Sequence, residues 1–243
     1  MADSPARRHM QRVLAAKAAA GNAGSQLMPG TGIYEHMMLQ LASDRGRLKQ
    51  IQSGEGKEQL KAQLLPAYDA YIEGVLDAGQ GAADEVVTTV MLWNIDAGRY
   101  AEGMRVAEYV LRHNLAMPDR FERTTGCVVA EEVAEVALNA LRAGTEFDVA
   151  VLDQAMAITE GQDMPDQVRA KLLLARSRWI LKAIAKASDE PQDGQPFDPA
   201  PQLTVAIESL RRAIQLHDGC GGKKDLESAE RLLKKHTASQ PTG

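Results

Sequence analysis

Apolar residues recur along this chain at spacings of three and four, not two, which is the mark of helices packed by one face. Ser4-Pro5 reads as an N-cap followed by proline in the first turn, and Met10, Val13, Leu14 and Ala18 then fall on one stripe, so a helix is expected over "SPARRHMQRVLAAKAAA". The glycine-rich stretch "GNAGSQLMPGTG", residues 21–32, predicts a flexible linker that tethers this helix to the rest. Ile33, Met37, Met38 and Leu41 form the next stripe, and Ser43 or Asp44 reads as the cap of a second short helix, so two short helices with a tight junction are expected over 33–51.

From Leu60 onward the pattern predicts helical hairpins. A start or kink is expected at Pro66 and stops at Gly79, Gly98, Gly144 and Gly161, with Asp84 and Glu85 opening one helix and Pro165 lying in the first turn of a long one. "SDEPQDGQPFDPAP", residues 188–201, reads as an acidic loop, and the last hairpin turns around Gly219 to Gly222. No segment alternates with period two. The fold class is therefore all-α, a series of helical hairpins with a tethered basic N-terminal helix. The expected organisation is a basic helix and linker over 1–32, a helix pair over 33–61, a hairpin core over 62–187 suited to oligomerisation, the loop at 188–201, and a C-terminal hairpin and tail over 202–243. "LWNIDAGRYAEGMRVAEYVL" echoes a tetratricopeptide pattern, but the glycine spacing keeps no regular register, so an ideal repeat array is not expected.

Composition narrows the function. With 44% hydrophobic, 25% charged and 4% aromatic residues the 243-residue chain reads as an ordinary globular protein. It has no run of about 18 apolar residues, and no leader pattern, so a cytoplasmic protein with no membrane contact is expected. Cys127 and Cys220 are too few for a disulfide framework or a zinc ribbon. The net charge of −5 is uneven: residues 1–61 hold nine Lys or Arg against five Asp or Glu, whereas residues 62–136 hold five against thirteen. A cationic end on an anionic body is what a chain needs if that end alone approaches a polyanion. Arg7 and Arg8 also stand in a helix's first turn, where the macrodipole disfavours each by about 0.3–1 kcal/mol. Arg45, Arg47 and Lys49, followed by Lys57 and Lys61, make a second cationic group on a pair that resembles a helix-turn-helix.

Catalytic chemistry has weak support. The lysines of "GCGGKKD" lack the phosphate-loop spacing and have Asp225 in place of Ser or Thr, and a serine hydrolase elbow has no strand to stand on. Carboxylates for a two-metal nuclease could come from Asp84 with Glu85, from Glu131, Glu132 and Glu135, or from Asp163 with Asp166, but each set opens a predicted helix and has a capping explanation. The five histidines show no i, i+3 or i+4 pairing, so no catalytic residue, metal ligand or cofactor is assigned.

The segments "SPARRHMQRV", "IYEHMMLQLASDRGRLKQI", "LLPAYDAYIEGVL", "TVMLWNIDAG", "AMPDRFERTTG" with "EEVAEVAL", "DMPDQVRAKL" and "LRRAIQLHDGCGGKKDLESAERLLK" occur in an order and spacing that resemble the phage terminase small subunits found in peduoviruses. The resemblance runs from Ser4 to about Lys235. It implies a subunit that recognises viral DNA at its packaging site, oligomerises, in some cases as a ring, and hands the DNA to a large subunit holding the ATPase and usually the nuclease, in the host cell cytoplasm. It implies Arg7, Arg8, Arg12 and Lys17 as phosphate contacts, with Arg45, Arg47 and Lys49 as a second set. Members are also described as the terminase's endonuclease subunit. Two departures stand out: the chain stops at "KKHTASQPTG" where relatives can carry a long basic tail, and the 188–201 insert does not map onto the family pattern. Two other readings compete with DNA recognition, a metal-dependent endonuclease and a tetratricopeptide-like adaptor that binds only protein.

Overall fold

The computed structural model describes residues 4–21, 32–118, 122–189 and 198–239, and all regular structure among them is helical. The linker expected at 21–32 and the acidic loop expected at 188–201 lie largely outside the described residues. The chain divides into two compact units, residues 1–132 and 133–243.

In the first unit α1 (Pro5–Ala20) begins as its capping chemistry dictates: the Ser4 hydroxyl accepts from the Arg7 N–H at 3.3 Å, and Pro5 supplies the first turn. The face it buries differs from the expected stripe. Ala15 and Ala19 are fully buried, while Met10, Val13 and Leu14 are exposed. The cause lies in α4 (Asp69–Ala78), against which α1 packs. A Cβ on Gly74 would lie 2.2 Å from the Arg12 carbonyl oxygen and 2.9 Å from the Ala15 Cβ, so this crossing admits only small residues and the larger apolar side chains turn away.

The two short helices expected over 33–51 are one, α2 (Gly32–Lys49). Asp44, read from sequence as a cap, is instead a buried mid-helix residue whose carboxylate accepts from the Tyr68 hydroxyl at 2.8 Å and from Arg47 at 3.1 Å. A long-range bond has claimed the side chain that a local reading assigns to a helix start. The break comes later, where Ser53 caps α3 (Gly54–Leu64). Pro66 forces a single 3-10 turn, Leu65–Ala67, before α4.

Gly79 ends α4 in the left-handed region, and Asp84 caps α5 (Glu85–Asp96), accepting from Val86 and Val87 N–H at 2.8 and 3.1 Å. Every residue of α5 from Val86 to Ile95 is buried, so α5 is the central helix of this unit. Trp93 meets Tyr68 edge to face at 6.0 Å, and α6 (Tyr100–Arg112) returns along α5. The Gly103 position allows a close approach, since a Cβ there would lie 2.9 Å from Ile95. Next comes α7 (Thr125–Ala143), longer at its start than the expected segment and crossing the division at 132.

The second unit is built on α9 (Asp166–Asp189). It packs with α8 (Val149–Thr159) and α10 (Ala200–Leu216), and α11 (Lys223–Ser239) closes on α10 after a 3-10 turn, Asp218–Cys220. Leu174, Ile180, Leu203, Ile207 and Leu210 form its core with Ala229, Leu226 and Leu233 of α11. Trp179 donates its indole N–H to the Ala137 carbonyl at 2.8 Å and packs on Phe147.

Candidate nucleic-acid interface

Seven cations are the candidates from sequence, and the structure sorts them by what holds them. Arg12 is half-exposed and engaged in the α1–α4 contact: its Nε donates to Asp77 at 2.8 Å and its Nη1 lies 3.5 Å from Glu73. Arg45 is likewise turned into the fold, with Nη1 2.6 Å from Glu85 and Nη2 donating to Thr89 at 2.7 Å, which pins α2 to α5. Arg47 is exposed and shares its charge with Asp44, three residues back on the same helix. Arg7 is exposed at the start of α1, where it helps line a groove. Arg8, Lys17 and Lys49 are exposed and form no ion pair among the described residues.

The groove lies between α1 and α2 and encloses about 180 Å³, with Met10, Leu14, Ile33 and Ala67 as its apolar lining and Arg7 and His36 among its polar residues. Gln11 crosses it, its amide nitrogen 3.2 Å from the Met37 sulfur. The exposed outer face of α1 thus combines Met10, Val13 and Leu14 with Arg7 and Lys17, while Arg8, in line with Ala15 and Ala19, is exposed in the first turn. The apolar half of that face was read from sequence as core, and only the close α1–α4 crossing shows otherwise.

The carboxylates considered for metal chemistry are held individually. Asp84 is buried and accepts from the Tyr71 hydroxyl at 2.6 Å besides capping α5. Burial pushes its carboxyl up to about 6, against the downward pull of those three hydrogen bonds. Burial also holds the Tyr71 phenol above its ordinary range, which keeps it a donor. Glu131 pairs with Arg123, and Glu135 with Lys171, whose hydrogen bond keeps the Glu135 carboxyl below its usual range. Among the described residues no three His, Cys, Asp or Glu side chains converge as a metal-binding group. No helix of the described residues is long and apolar enough to cross a membrane.

Fold and surface together define an all-helical protein of two compact units whose sequence-selected cations divide into structural and outward-facing sets. Residues 38–167 match the family described as the phage small terminase subunit. The chain is also 39% identical over 238 residues to the protein of Escherichia phage P2 named "Terminase, endonuclease subunit", a match covering 98% of this chain and 89% of that one. The chain belongs to the phage small terminase subunit family. No solved structure matches it.

Proposed function

We propose that this chain is the DNA-recognition subunit of a viral packaging terminase. It binds duplex phage DNA at the packaging site, assembles with copies of itself, and delivers the DNA to the large ATPase and nuclease subunit in the host cytoplasm. The observation that carries this reading is the outward set of cations on α1 and α2 in a family member whose net charge is −5. Arg7, Arg8, Lys17, Arg47 and Lys49 grip phosphate, while Arg12 and Arg45 set the positions of α1 and α2 through their ion pairs.

Titration of the full-length protein against a packaging-site duplex at several salt concentrations tests the reading. Affinity falls steeply between 50 and 200 mM salt, and the variant Arg8→Gln, Lys17→Gln, Lys49→Gln has a slope of log K on log salt shallower by about 2–3, at ~0.9 per lost phosphate contact. Absence of DNA binding, with capture of the large subunit intact, supports the protein-only adaptor instead. Charge substitution is the sound test because deletion of α1 would also strip the partner of Gly74. Light scattering on the same sample reads assembly, and a monomer at micromolar concentration refutes it.

A second reading, an endonuclease subunit, is favoured by the name of the phage P2 relative. Supercoiled DNA incubated with the protein and Mg²⁺ is nicked if the activity belongs to this chain, and stays intact if it needs the whole complex.

A further inference from the structure

The exposed lysines and arginine of α11 gather on one side of the helix. Leu226, Ala229 and Leu233 turn α11 onto the core of the second unit. Its acids face the same way or lie along its flanks: Asp225 accepts from Arg178 of α9 at 2.8 Å, and Glu230 pairs with Arg211 of α10 at 2.6 Å. Lys224, Arg231 and Lys235 are exposed. At about 100° per residue they fall within roughly 40° of one another, on the side of the helix away from Leu226, Ala229 and Leu233. Lys224 and Arg231 form no ion pair among the described residues. Lys234 is exposed beside the stripe, and Glu227 is the acid next to it.

Two observations set this stripe apart from an ordinary solvated face. Lys223 and Lys224 open the helix, where the macrodipole disfavours cations by about 0.3–1 kcal/mol each. Lys223 pairs with Asp218 at 2.7 Å, whereas Lys224 forms no ion pair among the described residues. The helix also separates its charges across its axis, with Asp225 and Glu230 spent on Arg178 and Arg211, so the outer face shows net positive charge on an acidic chain. Lys224 to Lys235 spans roughly 16 Å at 1.5 Å per residue, about the length of five base pairs at 3.4 Å between charges on one strand.

We infer that the outer face of α11 is a second phosphate-gripping surface for duplex DNA, in the second unit, through Lys224, Arg231 and Lys235. The inference rests on the DNA-recognition reading. Phosphate contacts carry no base information, so the surface adds grip and salt dependence, not sequence choice.

The test is the full-length variant Lys224→Gln, Arg231→Gln, Lys235→Gln, titrated beside wild type against the packaging-site duplex and an unrelated duplex of equal length. Its slope of log K on log salt becomes shallower by about 2–3 on both duplexes. Lys224→Arg with Lys235→Arg keeps the wild-type slope. A slope and affinity equal to wild type overturn the α11 surface while leaving the DNA-recognition reading in place, and an acidic protein partner is then the better match for the stripe. A loss confined to the packaging-site duplex overturns the phosphate assignment. Wild type that binds neither duplex overturns the recognition reading and this inference together.

Discussion

At the scale of single residues, Asp84 ties capping to burial. Its carboxyl titrates near 6 in the fold, above the ordinary value of 3.8. The fold therefore prefers the protonated form. The stability this gives is fully present below pH 4 and is lost as pH rises through 6, with a cost at neutral pH on the order of 3 kcal/mol. Asp84→Asn removes the charge and keeps a capping oxygen. The expected result is a urea midpoint that no longer falls between pH 4 and pH 6 and that at pH 7 equals or exceeds wild type; a wild-type pH profile in Asp84→Asn would place the titration elsewhere. Asp84→Ala, which strands the Tyr71 hydroxyl and two backbone donors, is less stable than Asp84→Asn by about 1–3 kcal/mol at any pH. The helix start at Asp84 was legible because capping is local. Its burial was not, because Tyr71 lies 13 positions away. Arg12 shows the same limit more sharply: sequence displays the cation, while the Asp77 that engages it is 65 residues distant.

At the scale of elements, the stops and starts that sequence made legible are those written in backbone chemistry: Ser4-Pro5, Pro66, Gly79, Gly98 and Gly144. Faces were less legible, since which side of α1 is buried depends on how near α4 can come. Met10, Val13 and Leu14 made the better apolar stripe, but Ala15, Ala19 and Gly74 made the closer contact. One substitution at two sites tests this account. Gly46→Ala in α2 introduces a Cβ that meets nothing within 4 Å, so it stabilises by about 1 kcal/mol through helix propensity. Gly74→Ala gains the same propensity, but its Cβ collides with the Arg12 backbone, and overpacking costs typically 1–3 kcal/mol or more. The two changes are expected to move the thermal midpoint in opposite directions. A stabilised Gly74→Ala would mean that α1 is not seated on α4 as described.

At the scale of the molecule, the division after residue 132 falls inside α7, where no glycine or proline stands between Cys127 and Ala143. Boundary signals in a sequence are breaks in pattern, and a continuous helix offers none, so contacts reveal this division and composition does not. The chain carries two tryptophans, one in each unit, both buried: Trp93 against Tyr68, and Trp179 against Phe147 and the Ala137 carbonyl. Each is a reporter for its own unit. In a Trp179→Phe background, fluorescence follows Trp93, and adding Gly74→Ala lowers the urea midpoint by about 1 M, from 1–3 kcal/mol of overpacking and a slope of 1–3 kcal/mol per molar. In a Trp93→Phe background, fluorescence follows Trp179, and the same Gly74→Ala leaves the midpoint in place if the second unit holds its own core of Leu174, Ile207 and Leu210. Equal shifts from both reporters would show that α7 couples the units into one cooperative transition, and stability measured at α1 would then speak for the whole chain.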